Sequence, residues 1–310
     1  MNKYISLFLK GIGMGAANVV PGVSGGTIAL ITGIFEELID SIKSFDLKAL
    51  KYLLSGKFKS LATHINLNFL LAVFLGVAVS ILSLAKLFGY LLTDYPVYIY
   101  SAFFGLILAS IYFVGKTIEK WNASVIISFI IGTAIAISLT VLKPAGENST
   151  FFYLFICGIV ATCSMILPGL SGSFVLILMG NYKLVMIDAV NNLDLKILLP
   201  VVLGAGFGLI LFSNALSWVF KKFKNQTISI LTGFILGSIG ILWPWKTEVF
   251  ATNSLGELVL KDGQGIVEGY AWHMPQQFSQ EIVFAILWMI FGIIIIWGTE
   301  YLANKNKIVK

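Results

Sequence analysis

Six long apolar segments, separated by short polar ones, dominate this 310-residue chain. Each is close to the roughly 20 residues that a helix needs to cross the hydrocarbon core of a bilayer. None of them alternates apolar and polar residues in the way that marks the strands of a membrane barrel. The pattern predicts an all-α integral membrane protein with crossing helices at 69–92, 97–114, 122–142, 197–220, 228–245 and 282–303.

Two further apolar segments, 4–38 and 151–182, are interrupted near their middle by the same short motif. Residues 21–26 read PGVSGG and residues 168–173 read PGLSGS. Proline and glycine disrupt helices, and paired interruptions in corresponding hydrophobic segments point to the binding site of a transporter. We expect each segment to form a helical hairpin whose arms, of about 16 residues, reach into the bilayer without having to leave it.

The similarity between the two parts of the chain extends beyond the motif. Residues 66–76 match residues 194–204 at six of eleven positions, and residues 103–111 match residues 231–239 at five of nine. Both alignments have an offset of 128, which apolar composition alone would hardly produce twice. The motifs themselves are offset by 147, so the loop after the first motif is longer by 19 residues.

Lysine placement predicts the topology, because loops rich in lysine face the cytoplasm. Five lysines between residues 43 and 59 and three within 221–226 put these loops inside, whereas the acidic loop 246–280 fits outside. Both interrupted segments then return to the side from which they start, and both termini are cytoplasmic.

Each repeat, 1–143 or 150–305, is one re-entrant hairpin plus three crossing helices. Since three is odd, the second repeat is inverted within a single membrane domain.

Composition further limits the kinds of binding site that the chain can form. The chain is 58% hydrophobic and 12% charged, against about 25% charged residues in soluble domains. Its net charge is +6, and every basic residue is a lysine, which excludes bidentate arginine clamps on an anion. Because the lysines lie in short loops, we interpret them as topology signals and not as a nucleic-acid surface. Two cysteines and two histidines do not make up a zinc ligand set, and we predict no metal site and no catalytic residue.

The motif has the chemistry of an anion site. A serine can cap the helix that follows, and glycines let a ligand approach the backbone closely. The unpaired N–H groups at the start of a helix attract negative charge. The predicted phosphate-binding residues are Ser24, Gly25, Gly26, Thr27, Ser171, Gly172 and Ser173. The alternative is that the glycines serve tight packing and the serines only cap.

Three ionisable side chains lie close to the apolar segments. Lys10 and Lys86 can either contact the cargo or extend to the membrane interface. Glu36 follows the first hairpin and either takes part in transport, as intramembrane carboxylates often do, or is solvated at the cytoplasmic surface. Residues 46–61 are amphipathic and predict a helix lying on the bilayer.

The stretch GMGAANVVPGVSGGTIALITGIFEELI and its second copy SMILPGLSGSFVLILMGNY resemble the PopT-type polyprenyl-phosphate translocases of bacteria. This resemblance implies a flippase of the bacterial plasma membrane that returns undecaprenyl phosphate from the outer to the cytoplasmic leaflet. Such a flippase recycles the lipid carrier for peptidoglycan and other envelope polymers. The residues carried over from the family motif are Asn18, Pro21, Ser24, Gly25, Gly26, Thr27, Pro168, Ser171, Gly172 and Ser173, with Glu36 at an expected acidic position.

Two other functions stay open at this stage. One is an ion-coupled importer of a small soluble anion, which needs an aqueous path closed to lipid. The other is a polyprenyl-pyrophosphate phosphatase, which needs a catalytic base and cationic clamps on the diphosphate. We expect a transporter without a cofactor, working on a polyprenyl phosphate lipid in the membrane. The coupling ion and a homodimeric state are left open.

Overall fold

The computed structural model describes residues 3–19, 24–142, 144–190, 192–250, 260–261, 264–265, 267–275 and 278–308. Pro21 lies outside the described residues, as does the side chain of Lys86. The described chain is almost entirely helical. Six of its helices are long and apolar enough to cross a membrane, which confirms the prediction of an all-α integral membrane protein.

Thirteen α-helices follow one another along the described chain. They are α1 Lys3–Val19, α2 Gly25–Ile31, α3 Phe35–Lys43, α4 Leu47–Leu54, α5 Phe58–His64, α6 Leu67–Asp94, α7 Pro96–Lys116, α8 Ala123–Val141, α9 Phe151–Ile166, α10 Gly172–Leu178, α11 Leu195–Lys222, α12 Lys224–Ser238 and α13 Gln280–Ile308. A π-helix, Leu184–Ala189, lies between α10 and α11, and a 3-10 helix, Ile239–Leu242, extends α12.

Four short strands lie between α12 and α13, where the sequence analysis predicts only an outside loop. Strand β1, Lys246–Phe250, pairs antiparallel with β4, Val267–Trp272. Strands β2, Leu260–Lys261, and β3, Gln264–Gly265, form a second antiparallel pair. The turn between α12 and α13 therefore carries a small β-structure outside the helical body.

The six candidate membrane helices are α6, α7, α8, α11, α13, and α12 together with its 3-10 extension. Most of their exposed side chains are aliphatic or aromatic, as expected for surfaces that face lipid tails and not water. Helix α12 is the exception. In its apolar window 67% of the residues are buried, against 17% in α8, α11 and α13, so α12 lies at the centre of the molecule.

The helices pack in two matching sets of pairs. Helix α1 packs along α6 in the same way that α9 packs along α11. Helix α8 packs along α12, and α7 packs along α13, so each of these pairs joins one part of the chain to the other. Under the sequence offsets of 147 and 128, α1 and α6 correspond to α9 and α11.

Glycines bring these paired helices into close contact. A Cβ atom on Gly11 would collide with the carbonyl of Val73, and one on Gly158 would collide with the carbonyl of Val201. Gly11 and Gly158 are 147 residues apart, and the two valines are 128 apart. Small residues let membrane helices approach closely, and here the same glycine contact occurs at both corresponding positions.

The helix that follows each motif is shorter than the second arm of about 16 residues expected from the sequence. Helices α2 and α10 both have seven residues. Gly33 and Gly180 lie two residues after the ends of these helices and share the left-handed φ of 70°. The N–H of the residue after each glycine donates to a carbonyl five residues earlier, from Ile34 to Ala29 and from Asn181 to Leu176. This is a Schellman termination, which favours glycine at the left-handed position.

Among the described residues, the largest apolar core lies where α2 and α3 meet α11 and α12. Phe35 of α3 packs against Phe220 of α11, with ring centroids 6.3 Å apart. Leu231 and Ile235 of α12 are buried in the same cluster as Ile28 of α2. The fold therefore holds α2 against the centre of the molecule, next to the second motif.

Candidate functional site

The start of α2 is capped by two polar side chains. The N–H of Thr27 donates to Ser24 Oγ at 3.3 Å, as expected for an N-cap serine. The N–H of Gly25 donates to Asn18 Oδ1 of α1 at 2.6 Å. Two of the first N–H groups of this helix therefore already have protein acceptors.

The two motifs contact each other directly. Ser24 Oγ donates to the carbonyl of Leu167 at 3.2 Å, and the N–H of Gly169 donates to Thr27 Oγ1 at 2.9 Å. The hydroxyls of Ser24 and Thr27 are themselves 3.2 Å apart. Both side chains are buried, Thr27 completely. The two motifs are thus joined by a buried hydrogen-bond network, which we call the crossing network (Ser24, Thr27, Leu167 and Gly169).

Backbone packing reinforces this contact. A Cβ atom added to Gly26 would lie 2.6 Å from the carbonyl oxygen of Ile166. Such a distance is well inside van der Waals contact, so a larger residue requires one backbone to move. Pro168 is buried and Gly169 adopts a left-handed φ of 82°. The second loop is therefore held tightly over the start of α2.

The start of α10 is arranged differently. Ser171 Oγ accepts from the N–H of Phe174 at 3.4 Å and lies 2.6 Å from Ser173 Oγ. Ser171 is half-buried and Ser173 is exposed. A Cβ on Gly172 would lie 2.6 Å from the Cγ of Met165, so this glycine is needed for packing against α9.

The described residues of the two motifs therefore differ in how their side chains are used. At corresponding positions, Thr27 is replaced by Phe174 and Asn18 by Met165. Neither Phe174 nor Met165 can form the hydrogen bonds that Thr27 and Asn18 form in the first half. The hydroxyls of Ser24 and Thr27 are engaged inside the protein, whereas those of Ser171 and Ser173 are reachable. We therefore expect an anion to contact the hydroxyls of the second motif and not those of the first.

Lys10 has a local partner in the structure. Its Nζ donates to the carbonyl of Thr32 at 2.6 Å, at the end of α2. At the corresponding place in the second half, the hydroxyl of Tyr153 donates to the carbonyl of Met179 at 2.8 Å. Both side chains come from the helix before a motif and satisfy a terminal carbonyl of the helix after it. In this structure Lys10 caps a helix instead of reaching the motif.

Glu36 lies on α3, away from the motif, at 3.7 Å from Lys224 of α12. One turn later, Asp40 lies 2.8 Å from Lys221 and accepts from Ser217 Oγ at 2.6 Å. Burial opposes ionisation of Asp40, but the hydrogen bonds from Lys221 and Ser217 outweigh it and hold the pKa of this carboxyl below its ordinary value. These contacts fasten α3 to the adjoining ends of α11 and α12.

A cavity of about 530 Å³ opens beside α3. Its walls carry Gly33, Glu36, Glu37, Asp40, Ser41, His64 and Asn66. The Nδ2 of Asn66 donates to Glu37 Oε1 at 3.0 Å. Three carboxylates would repel a phosphate, so this cavity does not suit the anion. In the described part of the chain no cluster of three or more histidine, cysteine or acidic residues could hold a metal ion.

We expect the pair between Asp40 and Lys221 to stabilise the protein modestly. Both side chains are partly exposed, and such pairs contribute about 0.2–1 kcal/mol. Asp40→Asn and Lys221→Gln should each lower the unfolding temperature slightly in detergent, and the double variant should lower it by less than their sum. Since the pKa of Asp40 is lowered in the fold, the contribution should be present at neutral pH and disappear in acid. Fully additive effects would contradict a direct interaction.

The sequence profile of a family described as VCA0040-like, undecaprenyl phosphate translocase-like, matches residues 14–259, a range that includes both motifs. The chain belongs to this family. It is 41% identical over 304 residues to a polyprenyl-phosphate transporter of Vibrio cholerae, with 98% of each chain covered. It is 34% identical over 260 residues to a polyprenyl-phosphate transporter of Staphylococcus aureus, covering 78% of this chain and 87% of that relative. No protein of solved structure matches it.

Membership confirms the resemblance stated from the motifs. The family and both relatives are described as transporters, in agreement with the prediction of a transporter and not an enzyme. The comparisons do not assign roles to individual residues, so the phosphate contacts at Ser24, Gly25, Gly26, Thr27, Ser171, Gly172 and Ser173 stay predictions. The same holds for the supporting roles of Asn18, Pro168 and Glu36.

Proposed function

We propose that this protein is a flippase for undecaprenyl phosphate or a closely similar polyprenyl phosphate. It moves the lipid from the outer to the cytoplasmic leaflet of a bacterial plasma membrane and so returns the carrier for peptidoglycan synthesis. The observation that carries this proposal is the 41% identity to a polyprenyl-phosphate transporter over 98% of both chains. The position of the two motifs, in contact at the centre of the helical body, supports it independently.

We further propose that the two halves are inverted repeats, each with one re-entrant hairpin and three crossing helices. The matching helix pairs support this arrangement, because α7 and α8 of one half pack on α13 and α12 of the other. The short second arms also support it, because seven residues of helix rise only about 10 Å. A substrate site at the meeting point of two such halves is common among secondary transporters.

In this proposal the phosphate head group binds beside the crossing network, while the polyprenyl chain stays in lipid. Ser171 and Ser173 offer hydroxyls, and Gly172, Gly25 and Gly26 allow the close packing that brings the two motifs together. Ser24 and Thr27 hold the second loop in position. Moving a charged group through bare hydrocarbon costs several kcal/mol, and hydroxyl and backbone dipoles along the path lower this barrier without a charged side chain.

Purified protein in liposomes tests the proposal. It should move a labelled polyprenyl monophosphate between leaflets, and it should release no inorganic phosphate from the polyprenyl diphosphate. Release of phosphate would favour the phosphatase. Uptake of a soluble anion into the vesicles without movement of the lipid would favour the importer. Failure of all three activities in folded protein would contradict the proposed cargo.

The inverted topology makes a separate prediction. Ser149 and Asn192 are exposed residues on either side of the second interrupted segment. The lysine count puts their loops, 143–150 and 183–196, both outside. In a background without Cys157 and Cys163, Ser149→Cys and Asn192→Cys should both react with an impermeant thiol reagent in intact cells. The matched control, Lys57→Cys in the lysine-rich loop, should react only after the membrane is opened. Labelling of one of the first two cysteines with protection of the other would show that the segment between them ends on the opposite side, and would contradict the hairpin.

A further inference from the structure

The two halves differ most in the segment between the hairpin and the first long helix. In the first half this segment contains α4 and α5, which together span 46–64 with the N-cap Asp46. In the second half, the helix that the described residues form in this segment is the short π-helix Leu184–Ala189. The motif offset of 147 falls to 128 across this segment, a difference of 19 residues, which is the length of 46–64. The α4–α5 element is therefore an addition to one half only.

One face of this element is apolar and uncovered. Leu47, Leu50 and Leu54, at positions i, i+3 and i+7 of α4, lie on one side of the helix. Leu47 is 84% exposed and Leu54 is 78% exposed, and Phe58 at the start of α5 is 66% exposed. Ala49 is buried against the rest of the protein. Large apolar side chains exposed side by side mark an interaction surface.

The same element is strongly basic. Lys48, Lys51, Lys57 and Lys59 are all exposed, and residues 47–63 contain no acidic residue. Among the described residues, none of these four lysines lies within ion-pair distance of a carboxylate. An apolar face bordered by unpaired lysines is complementary to a membrane surface that carries negative head groups.

Local contacts fix the element at the end of a membrane helix. Asp46 accepts from the Ala49 N–H at 2.9 Å and lies 3.0 Å from the His64 Nε2, so it ties the start of α4 to the end of α5. Helix α6 begins at Leu67, three residues after α5 ends. Asn66, just before α6, is bound to Glu37 of α3. Because α6 is a membrane helix by length and composition, α4 and α5 must lie close to the bilayer surface.

We propose that α4 and α5 form a platform seated on anionic phospholipids of one leaflet. The exposed leucines and Phe58 enter the boundary between head groups and acyl chains, and the four lysines contact the lipid phosphates. The shortness of the corresponding segment in the second half leaves the other leaflet without such a platform. This inference concerns the surrounding lipid and holds whatever cargo the protein moves.

The depth of a probe on α4 tests the platform in the full-length protein. In a background with Cys157→Ala and Cys163→Ala, Leu54→Cys is labelled with an environment-sensitive fluorophore. The protein is reconstituted into vesicles of phosphatidylcholine alone or mixed with phosphatidylglycerol. A lipid-attached quencher placed near the head groups should quench this label strongly, while aqueous iodide should not. The matched control, Leu82→Cys in α6, should be quenched best by a quencher placed deep in the bilayer.

Anionic lipid should increase the shallow quenching at Leu54→Cys by about twofold, because a negative surface attracts the lysines that border the apolar face. Lys48→Gln, Lys51→Gln, Lys57→Gln and Lys59→Gln combined should abolish this dependence. Lys116→Gln, Lys120→Gln and Lys196→Gln combined should leave it intact. Full access of iodide to the label in both lipids would overturn the platform. Insertion that is identical in neutral and anionic vesicles would overturn anionic phospholipid as its partner. Neither readout depends on transport, so failure here is distinct from failure of the proposed function.

Discussion

Gly26→Leu should abolish transport while the protein still inserts into the membrane. A Cβ at this position would lie 2.6 Å from the carbonyl oxygen of Ile166, and the rest of a leucine side chain needs still more room. Because the contact is with backbone, no side-chain rotation can relieve it. Overpacking of this kind costs about 1–3 kcal/mol, and here it forces the two motifs apart. The measurements are lipid movement in liposomes and the unfolding temperature in detergent.

Gly206→Leu is the matched control for this variant. Gly206 is also a helical glycine, in α11, but a Cβ added there meets no other atom within 4 Å. We expect Gly206→Leu to transport at the wild-type rate and to unfold at the wild-type temperature. If Gly26→Leu also transported normally, contact between the two motifs would not be needed for function.

Much of the fold is readable from hydrophobic periodicity and from the repeated motif. The six apolar segments correspond to the six long helices, because a bilayer demands a minimum length of apolar helix whatever the tertiary packing. The shortness of α2 and α10 was not predicted, although the sequence contains a signal for the end of each helix. Gly33 and Gly180 keep the motif offset of 147, and a left-handed glycine after a short helix is a recognisable stop. The strands β1 to β4 were missed because the polar segment between α12 and α13 has no clear alternation.

The side-chain use of the site was harder to predict. A repeated motif suggests equal roles for Ser24 and Ser171. Among the described residues, however, Ser24 is bound to the other loop, whereas the partners of Ser171 lie in its own motif and in α10. The difference depends on tertiary contacts that differ between the halves, since Thr27 corresponds to Phe174. The partners of α3 were missed for a similar reason. Glu36 and Asp40 lie on the same face of α3, which suggests that they bind the same neighbouring element. The sequence around them does not indicate that their partners are Lys221 and Lys224.

Substitutions of Thr27 and Ser173 should distinguish residues that hold the site together from residues that bind the cargo. Thr27→Val removes the acceptor of the Gly169 N–H and leaves that group buried without a partner. An unsatisfied buried donor costs about 1–3 kcal/mol. We therefore expect a lower unfolding temperature and a lower maximal transport rate. Thr27→Ser keeps the hydroxyl and should retain most of both.

Ser173→Ala should weaken binding of the lipid and leave the stability of the protein unchanged. Ser173 is exposed and its hydroxyl contacts Ser171, so its removal should leave the unfolding temperature unchanged. If Ser173 contacts the phosphate, the lost hydrogen bond to a charged group is worth about 1.5–3 kcal/mol. The lipid concentration for half-maximal transport should then rise about tenfold or more, at an unchanged maximal rate. Ser138→Ala, at an exposed serine of α8 whose hydroxyl donates to the carbonyl of Ile135 in its own helix, is the control and should change neither quantity. If Ser173→Ala transported like wild type while Thr27→Ser raised the half-maximal concentration, the first motif would contact the cargo and the assignment made here would be reversed.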